Sequence, residues 1–564
     1  MLMSDRWEAA AAELEGMRDL WPDSVPREVH DEHPTFGLND YLQKWSRERP
    51  ETTAIHFYGL DVTYRHLEDA VASFAGWLVS EGVTAGDRVG VYLSNSPQFT
   101  IAFLGILRIG AVHVPINPMF KTRELLYEVD DAGVSLLLAQ SDLQDVVQLA
   151  ATQGCMPSKV FYTHLADMLE TTPDYRMPFE PASPDRASDW AAIMGHEGVN
   201  PITCDRDALA ALNYTGGTTG LPKGCEHTQG HMIYTALSSI MGMGRTPGAE
   251  GDVVLGFLPM FWIAGEDICM INPLVDGATV VLMNRWNPQQ AAALIQEQGV
   301  VSMLAPADSY VELLETPEFL AADTSTLRNC TGASFVRKVD IPLRKQWRAA
   351  TGGELREAAF GMTETHTLDT FTFGLSTNDQ DLLSEPTYCG YPVPGTSIVV
   401  VDSDLKPCPV GEAGQILIKS PSVLTRYYNR PDATAESLVD GWLFTGDTGR
   451  FDEHGALSYL ARTKEMIKVN GMSVFPAELE TLFREHDSVQ TVAVAPRDDD
   501  VTGQVPVAYI LLSANTTTTA DELVAWAKER IAGFKVPEVV LVEDMPMTAT
   551  GKIRKVELVK GLNQ

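Results

Sequence analysis

The stretch Tyr214–Gly224, YTGGTTGLPKG, follows the apolar run ALAALNY and sets three glycines and three threonines ahead of a lysine. Glycine lets backbone N–H groups approach an anion, threonine hydroxyls add donors, and Lys223 adds a positive charge. Thr215, Gly216, Gly217, Thr218, Thr219, Gly220 and Lys223 are therefore candidate phosphate ligands. The loop is not a Walker A sequence, because Pro222 precedes the lysine and Gly224 follows it. Composition alone leaves a phosphate cradle and a plain surface turn both open.

Outward from this loop, strand-like segments alternate with helical ones. VTY and DRVGVYL alternate with HLEDAVASFAGWLVSEG and SPQFTIAFLGILRIG, and the pattern continues through DVVLGFLP, ATVVLM, NPQQAAALIQEQG and VVSMLAP. Such alternation predicts α/β architecture with largely parallel sheets. Residues 1–50 read as an acidic helical lead-in and a helix near Leu38–Arg49. Segment 388–461, with short strands and many Gly/Pro turns, predicts a small β unit. After Ala461 a charged, hinge-like stretch leads into a compact α+β tail. The expected division is a large N-terminal domain of mixed α/β layers, residues 1–461, and a small mobile α+β domain, residues 462–564.

The chain of 564 residues exceeds one hydrophobic core, and its net charge is −34. A surface this acidic disfavours nucleic acid and anionic lipid as partners. Seven cysteines are scattered without a C-x-x-C pair, so reduced, mostly buried thiols are expected. The opening MLMSDRWEAAAAELEGM carries charges where a signal peptide needs an apolar run, and the closing KGLNQ matches no lipidation or peroxisomal signal. A cytoplasmic protein is the expectation, with a homodimer open.

The loop resembles the signature of the adenylate-forming superfamily: acyl-CoA synthetases, peptide-synthetase adenylation domains and luciferases. Gly216 stands where Ser is usual. Further motifs follow in the family's order: FGMTET (Phe360–Thr365), YCGYPVPG (Tyr388–Gly395), DGWLFTGDTGRFDEHGALSYLAR (Asp440–Arg462), KVNGMSVFPAELE (Lys468–Glu480) and TATGKIRKVEL (Thr548–Leu558). The likeness runs from about residue 35 to residue 558. It implies a ligase that joins a carboxylic acid to AMP from ATP, releases pyrophosphate, and passes the acyl group to coenzyme A.

That chemistry brings a carboxylate and a polyphosphate together, so charge neutralisation and positioning supply most of the catalysis. The resemblance implies Glu364 as the carboxylate linked to Mg2+ and Thr363 as an α-phosphate contact, although a Thr-Glu pair by itself reads as a helix cap. It implies Phe360 stacked on adenine, Gly332 and Ala333 along its edge, and Asp447 with Arg462 on the ribose. Lys552 is the implied catalytic lysine, bridging carboxylate and α-phosphate. Lys464 is the implied hinge, and Lys468 and Gly471 the loop for the thioester step; the alternative for either lysine is a surface charge on a strand pair.

The acid pocket is expected to draw on Phe261, Trp262, Gly265 and Asp308. Trp262 departs from the family, where His commonly follows the aromatic residue. Glu266 and Asp308 flank the segment, and the expectation is that both face solvent or cap local structure. The alternative is that they, with Trp262, receive a cationic, betaine-like acid. A fatty or related apolar acid is the principal expectation. Rival readings are an adenylation enzyme loading a carrier protein in trans, a luciferase-like oxygenase, and a nucleotide-binding regulator.

Overall fold

The computed structural model describes residues 3–16, 21–169, 188–215, 221–248, 252–333, 338–383, 387–462, 465–469, 472–499, 501–514, 516–547 and 553–561. Two parallel sheets form the body. The first runs Glu354–Glu357, Asn329–Ala333, Ser302–Pro306, Val253–Gly256, Thr279–Leu282, Thr53–Phe57, Leu60–Thr63, with only the last pair antiparallel. The second runs Lys159–Thr163, Leu136–Gln140, Arg88–Tyr92, Val112–Pro115, Leu209–Tyr214, Gly224–Thr228. Its last pair is antiparallel and sets Tyr214 opposite Gly224, so the glycine-rich loop closes a hairpin at the sheet edge.

The elements start where local chemistry starts them. Ser96 accepts from the Phe99 N–H and Pro97 opens the helix Pro97–Arg108; Asn287 and Pro288 do the same for Pro288–Gln298. Every residue of Pro97–Arg108 is buried, which its all-round apolar sequence requires. This helix and Gln229–Gly242 belong to the main core, which takes in residues of both sheets.

The β unit is a seven-stranded antiparallel sheet built from 370 to 462, including Ser397–Val401, Gly414–Lys419, Trp442–Phe451 and Leu457–Arg462. The lead-in helix Met3–Gly16 docks on it: Trp7 packs edge-on to Trp442 and Phe444 and donates its indole N–H to the Leu405 carbonyl at 3.0 Å. The tail forms its own sheet around the hairpin Val489–Asp499/Gly503–Leu512, with helices Pro476–Arg484 and Ala520–Lys528. Among the described residues no helix is long and apolar enough to cross a membrane. All seven cysteines are free, and four of them are buried.

Candidate active site

The loop springs from a closed neck. The Thr215 N–H donates to the Lys223 carbonyl at 3.0 Å, and the Lys223 N–H donates to Thr215 Oγ1 at 3.2 Å. Tyr127 anchors the neck from the side through Pro222 O, at 2.6 Å. Gly216, Gly217, Thr218, Thr219 and Gly220 lie outside the described residues.

The Lys223 ammonium sits 4.0 Å over the ring of Tyr427, whose hydroxyl donates to Glu364 Oε1 at 2.9 Å. The Glu364 carbonyl accepts from the Leu424 N–H at 2.7 Å, and the Thr363 carbonyl meets His227 Nε2 at 2.7 Å. Two segments distant in sequence, around residues 223–227 and 424–427, thus converge on Thr363 and Glu364. Burial, then the neighbouring Glu364 charge, push the Tyr427 phenol well above its ordinary value, so it remains a donor.

Asp447 and Arg462 face each other across the strand pair, with Nε to Oδ1 at 3.1 Å, and Arg462 also donates to the Thr445 carbonyl at 3.1 Å. Asp447 is only 2% exposed. Phe360 lies beside Tyr459, ring centroids 6.2 Å apart and planes inclined by 31°. Gly332 and Ala333, both buried, end the strand Asn329–Ala333. A Cβ on Gly332 would collide with Val339, so the backbone there needs glycine.

Beneath Thr363 lies a buried polar cluster that the sequence did not announce. His227 and His366 stack edge to face at 4.8 Å, His366 Nδ1 is 3.1 Å from Asp267 Oδ1, and Asn213 donates to Glu266 Oε2 at 2.8 Å. Burial pushes Glu266 up to about 7 and lowers His231 to about 4. Glu266 therefore neither faces solvent nor caps a turn, against expectation: it is 0% exposed, because it packs against the strand carrying Asn213. Asp308 is exposed, as expected.

A cavity of about 140 Å3 opens on one face of the first sheet. Thr331, Ala359 and Thr367 line it, each next to or a few residues from Gly332, Phe360 and Glu364. Its remaining wall is mostly apolar, including Ile240, Val254, Leu304 and Phe371. None of Phe261, Trp262, Gly265 and Asp308 lines it. Phe261 and Trp262 instead pack edge to face at 5.9 Å, and a Cβ on Gly265 would strike the Pro259 carbonyl.

Lys552, Lys464 and Gly471 lie outside the described residues. Lys468 is exposed on the tail sheet, its N–H donating to Gln504 Oε1 at 2.9 Å. Lys555, which sequence reading missed, sits 2.8 Å from Glu480 and 3.5 Å from Glu465. With the bridge between Met547 and Ile553, it ties down both flanks of the segment carrying Lys552.

Comparison with known proteins decides the family. The AMP-binding enzyme model matches residues 42–428, and the AMP-binding enzyme C-terminal domain matches 478–552. The chain belongs to the AMP-binding enzymes. Among relatives of this AMP-binding enzyme, the long-chain-fatty-acid–CoA ligase of Escherichia coli O6:H1 is 30% identical over 579 residues, 96% of this chain and 98% of the relative. That of Bacillus subtilis strain 168 is 29% identical over 96% of this chain and 97% of the relative. The o-succinylbenzoate coenzyme A synthetase of Bacillus subtilis, solved with ATP and magnesium, superposes with a TM-score of 0.77 at 26% identity, covering 92% of this chain and 99% of that one.

This AMP-binding enzyme is an AMP-forming acid–CoA ligase that uses ATP, Mg2+ and CoA. The donor set fits the metal. Among the described residues no three or more His, Cys, Asp or Glu side chains gather as a metal cage. Glu364, half-buried with Oε1 held by Tyr427, offers one carboxylate to an ion that otherwise prefers phosphate and water oxygens.

Proposed function

We propose that the acid is a fatty or related acid with an apolar body, activated as acyl-AMP and then transferred to CoA. The observation that supports this is the largely apolar cavity beginning at Thr331, Ala359 and Thr367, beside Gly332, Phe360 and Glu364. In this reading Thr215–Gly220 and Lys223 hold the polyphosphate, and Phe360, Gly332 and Ala333 frame adenine. Asp447 accepts from the ribose hydroxyls while Arg462 orients it. Thr363 contacts the α-phosphate, and Glu364 takes Mg2+, whose charge neutralises the phosphates when bound. Lys552 bridges the acid carboxylate and the α-phosphate as they react.

Residues 462–564 then turn about Lys464 as one body and bring Lys468 and Gly471 to the acyl carbonyl for the thiol. The enzyme works in the cytoplasm, as a monomer or a homodimer. Neither Glu266 nor Asp308 lines that cavity, which supports the apolar reading over the cationic-acid alternative.

The test is AMP release from ATP across short, medium, long, aromatic and betaine acids, with and without CoA. Apolar acids with CoA should give stoichiometric AMP and acyl-CoA. A dominant betaine signal would overturn the acid class. Acyl transfer to an added carrier protein but not to CoA would overturn the acceptor.

A further inference from the structure

Arg356 is a charged feature of the cavity wall that an alkyl chain does not explain, beside the unpartnered Ser239 Oγ and Asn272 Oδ1 of the same wall. It is 3% exposed, and its guanidinium carbon lies 5.1 Å from the centroid of the Phe373 ring. Its Nε has no hydrogen-bond partner, and the Glu354 and Asp381 carboxylates act on it only through their charge, without a hydrogen bond to that atom. Other buried arginines are compensated. Arg344 forks onto Asp381 and meets Asp379, and Arg245, in the same cavity wall, holds Asp252 at 3.1 Å and Asp276 at 2.8 Å. Burying a cation costs several kcal/mol, which a ring face and carboxylates without a hydrogen bond to Nε offset only in part, and arginine does not shed its proton to escape that cost. A ligand oxygen would remove it.

The register says where that oxygen belongs. Arg356 pairs with Thr331 across parallel strands, and both line the cavity. Thr331 precedes Ala333 by two residues, a step of about 7 Å along a strand. The cavity is close in volume to an engineered apolar hole of about 150 Å3 that holds benzene. A short apolar segment therefore fits between the adenylate end and the guanidinium.

Building on the ligase reading, we infer that the preferred acid carries, a few carbons beyond its reacting carboxyl group, an oxygen that accepts hydrogen bonds from Arg356. Arg356 is then a specificity-determining residue, and an unadorned alkyl acid leaves its donors unpaired. Loss of such a partner is what allows polar sites to reject analogues strongly.

The test compares hexanoate, 5-oxohexanoate and hexanedioate in AMP release, with wild type, Arg356→Met and Arg356→Lys. The expected wild-type kcat/KM favours one or both oxygenated acids at least about tenfold, and Arg356→Met shifts that ratio toward hexanoate by about 100-fold. The two oxygenated acids separate a neutral acceptor from an anion. A wild type that favours hexanoate overturns the inference. So does an Arg356→Met enzyme that loses activity toward all three acids by one common factor, the signature of a structural arginine. Should Arg356→Met fail to fold, Arg356→Lys must shrink the ratio about tenfold, and an unchanged ratio overturns it. If wild type releases no AMP with any acid, the ligase reading fails instead. Calorimetric binding of the three acids then decides the role of Arg356 by the same ratio.

Discussion

Tyr427 joins Lys223 to Glu364: its ring face receives the Lys223 ammonium at 4.0 Å while its hydroxyl donates to the Glu364 carboxylate at 2.9 Å. One side chain thus positions a cation and an anion that both belong to the candidate nucleotide site.

Removing only the hydroxyl should therefore slow the first half-reaction. Tyr427→Phe keeps the ring under Lys223 but frees Glu364, and a hydrogen bond to a charged group contributes about 1.5–3 kcal/mol. ATP–pyrophosphate exchange should fall roughly 10- to 100-fold, with a right-shifted Mg2+ titration. Unchanged exchange would mean that Glu364 needs no help from Tyr427.

Asp447 carries a sharper signature, because its proposed partner is a defined pair of hydroxyls. Wild type should prefer ATP over 2′-deoxyATP by about tenfold or more, and Asp447→Ala should erase most of that preference while raising the KM for ATP. Equal preference in both proteins would remove Asp447 from the ribose.

Lys552 is proposed for one half-reaction only. Lys552→Ala should lower acyl-AMP formation by about 10²–10³-fold, by analogy with an oxyanion donor, yet leave much of the transfer from preformed acyl-AMP to CoA. Equal loss of both steps would sink the assignment.

Acid stability should turn partly on His113. It is fully buried between Phe99 and Phe103, at 5.5 and 5.1 Å, with neither ring nitrogen hydrogen-bonded. Burial lowers it from 6.5 to about 3. The folded state therefore binds fewer protons than the unfolded one between these values. Its contribution is intact above pH 6.5 and is lost as pH falls toward 3. At pH 5 the loss is about 2 kcal/mol. Glu266, raised from 4.5 to about 7, acts in the opposite sense, losing stability as pH rises through that window. Urea midpoints of His113→Leu should accordingly drop less than those of wild type between pH 7 and pH 5. Parallel curves would contradict the burial argument.

Much of this architecture was legible one segment at a time. Ser96-Pro97 and Asn287-Pro288 mark helix starts because a cap is satisfied within four residues, and strand alternation needs only neighbouring positions. The motifs around Asp447 and Glu364 were legible for the same reason. The pocket was not. The cavity is lined from several separate strands and helices, and Phe261, Trp262, Gly265 and Asp308, expected from the sequence at the acid pocket, are not among its lining residues.

The sequence by itself determined the order of elements and the family, since periodicity, capping and motif spacing are local properties of the chain. Only the tertiary structure decided that Tyr427 joins Lys223 to Glu364 and that Glu266 is buried against Asn213. It alone decided that Arg356 reaches a largely apolar cavity with its Nε unpartnered. The physical reason is that burial and charge pairing depend on which distant segments meet, and a period along the chain carries no record of its partner across the core.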